Sequence, residues 1–95
     1  MTTKERAELR SFANAISASY YIGKDGLTDT VLTGIREVLT ARELIKVGVQ
    51  ENAPLTAREA CEEVAELLGA EPVQVIGKKF VIYKRNKKVD QYGIK

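Results

Sequence analysis

Gly23, Lys24, Asp25 and Gly26 form a Gly-x-x-Gly run, with two glycines three residues apart. A glycine backbone turns sharply and lets a ligand come close, because no Cβ blocks the approach. Just downstream, Thr28 suits an N-cap, and Asp29 suits the positive end of a helix dipole. A helix starting there would turn its free N–H groups toward the loop, and such groups hold anions. Lys24 adds a positive charge. The chemistry on offer is capture of a phosphate group. A plain tight turn is the competing reading of the same four residues.

A second set of cations brackets an apolar run. Gly77, Lys78 and Lys79 precede it, and Lys84 and Arg85 follow it. A strand would set the two pairs ~17–20 Å apart, enough to touch separate phosphates along one polyanion. Phe80 and Tyr83 lie between them and point to opposite faces of such a strand. At most one is then fully core, which leaves the other to stack on a base. Partial burial of both is the alternative.

Other candidates read as structural. Cys61 falls on the apolar stripe of a helix, as an inert buried thiol does. Glu62, Glu63 and Glu66 are a solvated helical face rather than a carboxylate site. No calcium-loop spacing occurs, and no Gly-Lys-[Ser/Thr] follows Gly26 as a nucleotide-binding loop requires.

Composition narrows the function classes. Histidine is absent from the 95 residues, which removes the commonest general base and metal ligand. A single cysteine excludes an intramolecular disulfide, a tetrahedral zinc site and an iron–sulfur cluster. A lone thiol points to a reducing compartment. Met1 to Arg10 is charged and lacks the apolar core of a secretory signal. No apolar run approaches the ~20 residues of a membrane helix. We therefore expect a soluble, cytoplasmic, monomeric domain with no cofactor, metal, membrane or small-molecule substrate. It binds rather than catalyses.

The net charge of +2 hides a segregation. Residues 1–76 carry 8 basic and 12 acidic side chains, a balance of −4. Residues 77–95 carry 7 basic side chains against Asp90 alone, a balance of +6. Such a molecule presents one surface to polyanions and keeps another away from them. The basic end reads as a nucleic-acid contact or as a solvated tail.

The elements that must position these residues follow from capping and periodicity. Thr2 and Glu5 form a capping box, and Leu9, Phe12, Ala13 and Ile16 extend a helix over 3–16. Ser19 to Ile22 reads as a strand. A second helix runs from Thr28 to about Ala41, with Gly34 inside it at a cost of ~1 kcal/mol relative to Ala. A close packing contact would explain that glycine. Leu44 to Val49 is a strand with Ile45, Val47 and Val49 on one face. A second capping box at Thr56 and Glu59 opens a third helix, which Gly69 ends. Val73 to Ile76 is a strand, and Gly77-Lys78-Lys79 turns it into Phe80 to Tyr83. The expectation is one domain over 1–85, followed by a basic, mobile tail over 86–95. Its order α-β-α-β-α-β-β implies an α/β fold with one four-stranded mixed sheet and three helices. Crossovers through the second and third helices allow neighbouring parallel strands, and the last hairpin adds one antiparallel pair.

Four motifs, in order, resemble the YhbY/CRM domain family. They are Ile22-Gly23-Lys24-Asp25-Gly26-Leu27-Thr28, then Val31-Leu32, then Glu43-Leu44-Ile45-Lys46-Val47, then Val73 to Lys78 with Val81 to Lys84. The loop alone also resembles the GxxG clamp of KH-type domains. The family resemblance covers nearly the whole chain, to about Lys84. It implies a fold similar to the C-terminal domain of translation initiation factor 3. It also implies RNA binding and, for single-domain bacterial members, association with precursors of the large ribosomal subunit. The family's loop falls on Gly23, Lys24, Asp25 and Gly26, and its basic positions on Lys46, Lys78 and Lys84. Asp25 departs from a purely electrostatic clamp. Lys84 stands where relatives tend to carry arginine and is followed by Arg85, which moves bidentate recognition by one residue.

The leading expectation is an RNA-binding protein that is not an enzyme, acting on ribosomal RNA of large-subunit precursors. Its RNA contacts would be Gly23, Lys24, Asp25, Gly26, Lys46, Lys78, Lys79, Lys84 and Arg85. Two alternatives stay open: a protein that coats duplex DNA, and a protein-interaction module that docks through the acidic third helix.

Overall fold

The computed structural model describes residues 2–88 and 92. Its elements are α1 (Thr3–Ala13), β1 (Ala18–Ile22), α2 (Asp29–Arg42), β2 (Leu44–Val49), α3 (Ala57–Leu68), β3 (Glu71–Ile76) and β4 (Lys79–Tyr83). The element order is the one expected, and the sheet is four-stranded and mixed. Strand order is β1-β2-β4-β3. β1 and β2 are parallel, while β4 is antiparallel to both β2 and β3. β4 thus inserts between β2 and β3. The hairpin contributes two antiparallel pairs, and the crossover through α3 joins strands that are not neighbours.

Helix starts follow their caps. Thr2 and Glu5 bond reciprocally at 3.1 and 2.9 Å, and Thr56 and Glu59 do so at 3.2 and 2.9 Å. The Thr28 hydroxyl accepts from the Val31 N–H at 3.2 Å. Helix ends were less legible. α1 stops at Ala13 rather than residue 16, and Ala15 and Ile16 close short turns onto Phe12 and Ala13 at 3.1 and 3.3 Å. Ile16 still packs on the core, so its apolar spacing outlives the helix. β3 starts at Glu71 and includes Pro72, which an edge strand tolerates.

The sheet buries a core on each face. α2 and α3 cover one face, meeting Ile22, Ile45, Val47, Phe80 and Ile82. α1 covers part of the other, where Leu9 and Ala13 meet Leu44, Val73, Val81 and Tyr83. A register shift between Pro72 and Gln74 lets β3 serve both: Val73 joins the α1 core, and Val75 packs on the other. Gly34 has the close contact expected of it. A Cβ there would lie 2.5 Å from the Tyr20 hydroxyl and 2.6 Å from its ring.

After β4 two described residues, Asn86 and Tyr92, contact the domain. The Asn86 N–H donates to Glu43 Oε2, and its Nδ2 donates to the Thr40 carbonyl, both at 2.8 Å. Tyr92 sets its ring 5.1 Å from Phe12 and 6.3 Å from Tyr83. Most of the tail expected to be mobile, 89–91 and 93–95, lies outside the described residues.

Candidate nucleic-acid interface

Because β1 and β2 run parallel and β4 returns against β2, three loops meet at one end of the sheet. They are the turn after β1, the segment after β2, and the hairpin between β3 and β4. Gly23 to Gly26 is a closed turn, with the Gly26 N–H donating to the Gly23 carbonyl at 3.0 Å. Gly26 holds a φ of +70°, and a Cβ there would lie 3.0 Å from Pro54 Cγ. Only glycine meets both constraints without strain. Gly23, Lys24, Gly26 and Thr28 line one open hollow with Gln50 and Asn52, so the loop and the first turn of α2 share a surface. Lys24 and Asp25 are both exposed.

The hairpin joins this end. Gly77 and Lys78 form a two-residue turn, and Lys79 already pairs within β4 against Gly48 and Ile76. The expected three-residue turn is therefore one residue too long. The Lys78 carbonyl accepts from the Val49 N–H at 2.7 Å, and its ammonium bridges to Glu51. Both partners of that bridge are exposed, so the pair is weak and open to exchange with another anion. Lys78 holds the Glu51 carboxyl below the usual carboxylate range, by hydrogen bond first and charge second.

The remaining cations divide. Lys46 and Lys79 sit on the α1 face, since Lys46 pairs with Val81 of the α1 core, and Lys79 lies two residues before it on β4. Lys84 and Arg85 follow β4 at the opposite end, about 17 Å away along the strand. Lys84 donates to the Leu68 carbonyl at the end of α3, at 2.8 Å. Of the nine site residues read from the sequence, the fold brings the loop, Lys78 and Lys79 to one end of the sheet, with Lys46 further along β2 on the α1 face. It sets Lys84 and Arg85 apart.

Neither expected stacking residue is open to a base. Phe80 is 0% exposed and Tyr83 3%, because each face of β4 is roofed by a helix at that point. Sequence reasoning missed Tyr21, which is 53% exposed on the α1 face beyond the reach of α1. The signal was the Tyr20-Tyr21 pair, which a strand must split between its two faces.

Acidic groups lie behind the sheet. α3 packs on the face opposite Lys46 and Lys79, with Glu62, Glu63 and Glu66 exposed. Cys61 is buried within it. Burial, helped by the nearby Glu62 charge, pushes its thiol up to about 11. Among the described residues no cluster of His, Cys, Asp or Glu could hold a metal ion, and no helix is long and apolar enough to cross a membrane.

A three-helix, four-stranded mixed sheet with a glycine loop and basic hairpin at one end defines a small α/β binding domain. The chain belongs to the CRS1 / YhbY (CRM) domain family, whose model matches residues 1–84. It is 35% identical over 91 residues to "Probable RNA-binding protein YqeI" of Bacillus subtilis, covering 96% of this chain and 95% of that one. It is 31% identical over 84 residues to an "RNA-binding protein" of Haemophilus influenzae, covering 88% and 85%. The solution structure of the hypothetical protein SAV1595 from Staphylococcus aureus superposes with a TM-score of 0.72 at 36% identity, covering 100% and 97%.

Proposed function

We propose that this chain is an RNA-binding protein without catalytic activity, acting on ribosomal RNA of large-subunit precursors as a cytoplasmic monomer. One observation carries the RNA-binding reading: the Gly23–Gly26 loop, the start of α2 and Lys78 meet at one end, beside Lys46 and Lys79. Backbone N–H groups and ammonium groups together suit phosphates, which set affinity rather than sequence choice. The names of the relatives favour RNA as the polyanion. The ribosomal target rests on the family resemblance.

Salt titration tests the reading. Four phosphate contacts, at Lys24, Lys46, Lys78 and Lys79, give a slope of log K against log salt of about −3 to −4. An RNA that also reaches Lys84 and Arg85 steepens it to about −4 to −5. Replacing Lys78 and Lys79 together by Glu should remove most binding and leave the fold intact. A flat salt dependence with an unaffected double variant overturns RNA binding. Crosslinking in cells, followed by sequencing of the attached RNA, tests the ribosomal target. Preference for duplex DNA over structured RNA would change the partner.

The exposed Glu62, Glu63 and Glu66 favour a second reading, docking of a protein on α3. It requires a partner that survives nuclease and is lost on reversing Glu62 and Glu66.

A further inference from the structure

The half of the α1 face that α1 leaves uncovered is a built surface. Its outer row crosses all four strands: Tyr21 of β1 pairs with Gly48, Gly48 with Lys79, and Lys79 with Ile76. Paired residues in a sheet point to the same side. Lys46 lies in the next row, between Ala18 and Val81, with Gln74 beyond. No carboxylate falls in either row.

Tyr21 is held in place there. A Cβ on Gly48 would lie 2.5 Å from Tyr21 Cε1 and 2.6 Å from Cδ1, so the ring edge occupies the space of the missing side chain. Gly48 itself is buried, yet Tyr21 stays 53% exposed. An exposed aromatic ring is thus seated on backbone, with the cations Lys79 and Lys46 as the only charged residues in its row and the next. It fits a planar ligand that carries negative charge on either side.

We propose that Tyr21, seated on Gly48, is a stacking platform for one unpaired RNA base, with Lys46 and Lys79 meeting the flanking phosphates. The proposal rests on the RNA-binding reading and adds to it a preference for a single-stranded segment. Adjacent strands are ~4.8 Å apart, so Lys79 stands two strand spacings from Tyr21 in the same row, a span comparable to that between a base and its flanking phosphates. Every base has a π face, so such a platform selects an unstacked base without selecting its identity. A duplex, whose bases stay stacked, has nothing to offer it.

The test uses the full chain, an oligouridylate containing 5-iodouridine, and a blunt RNA duplex. Photocrosslinking of the native chain to the oligouridylate should attach at Tyr21. Tyr21→Ala should weaken oligouridylate binding about five- to a hundredfold while duplex binding holds, and Tyr21→Phe should keep both. Native oligouridylate binding by Tyr21→Ala, with binding lost when Lys78 and Lys79 become Glu, overturns the platform and leaves RNA binding standing. Equal losses in the Ala and Phe variants also overturn it, since they assign the effect to the hydroxyl. If the native chain binds neither RNA, both readings fall. The crosslink needs no substitution, so an unstable variant does not decide the outcome.

Discussion

The Lys84 ammonium donates to the Leu68 carbonyl at 2.8 Å, closing the C-terminal end of α3 from outside the helix. The last turn of α3 holds no basic residue of its own, so its unsatisfied carbonyls take a cation from the strand exit. We expect Lys84→Ala to lower stability by about 0.5–1.5 kcal/mol in urea unfolding. RNA affinity should fall less than for Lys79→Ala. The reverse ranking would move Lys84 back among the principal RNA contacts.

Gly34→Ala tests the contact between α2 and β1. Helix propensity alone favours the substitution by ~1 kcal/mol. The Tyr20 ring already fills the site, so we expect a net loss of about 1–3 kcal/mol instead. Adding Tyr20→Ala should make the two changes less than additive. A stabilised single variant would refute the contact.

Acid sensitivity follows from the capping boxes. The carboxyls of Glu5 and Glu59 are held below the usual range by hydrogen bonds from the backbone N–H and then the hydroxyl of their threonines. A depressed folded-state value stabilises the fold above the unfolded value of 4.5, and the gain is lost as pH falls through the lower one. Unfolding free energy should therefore drop as pH falls below 4.5. Glu59→Gln should flatten that limb. Thr56→Ala should cost about 1 kcal/mol at neutral pH and less in acid, where the reciprocal bond has already weakened. Parallel pH profiles for the native chain and both variants would contradict this account.

Thiol chemistry at Cys61 should report unfolding, not function. With its thiol pushed up to about 11 and the side chain buried, thiolate is scarce near neutrality. A thiol reagent should label Cys61 only as fast as the domain opens, and denaturant should speed it. Rapid labelling of the native protein would mean the α3 face is not closed.

Among the described residues Glu43 is the buried acid, with a φ of +64° at the end of α2. Its carboxylate accepts from Asn86 N–H, and its carbonyl accepts from Lys84 N–H at 2.8 Å. Glu43→Ala should cost about 1–3 kcal/mol by leaving the Asn86 N–H without that acceptor. Unchanged thermal unfolding would show that the post-β4 segment contributes little.

Caps and apolar periods made most of the fold legible. Thr2, Thr28 and Thr56 each start the helix expected of them, and β2 keeps its expected bounds. What a one-dimensional pattern does not carry is which strands become neighbours. The insertion of β4 between β2 and β3 decides that Phe80 and Tyr83 are both roofed, and that Lys84 lies far from Lys24. Pro72 hid the start of β3, because only edge position makes it tolerable. Of the candidate site, the glycine loop and Lys78 were readable locally. Tyr21 was not, since its exposure depends on how far α1 extends over the sheet.

The irregularity between Ala18 and Tyr20 has a larger role than its size suggests. If the pairing continued unbroken from Ala18 with Lys46, Tyr20 would oppose Gly48, and Tyr21 would oppose Val49 on the α2 side. One unpaired residue reverses that parity. It sends Tyr20 toward the gap at Gly34 and Tyr21 toward the gap at Gly48. The two gaps lie on opposite sides of the sheet, each shaped for a ring. β1 therefore stores one bit of phase, and both glycines check it. Deleting Ser19 would let β1 run regularly from Ala18 with both rings still on their own sides, whereas pairing Ser19 in register would turn a surface aromatic and a core aromatic into two misfits at once.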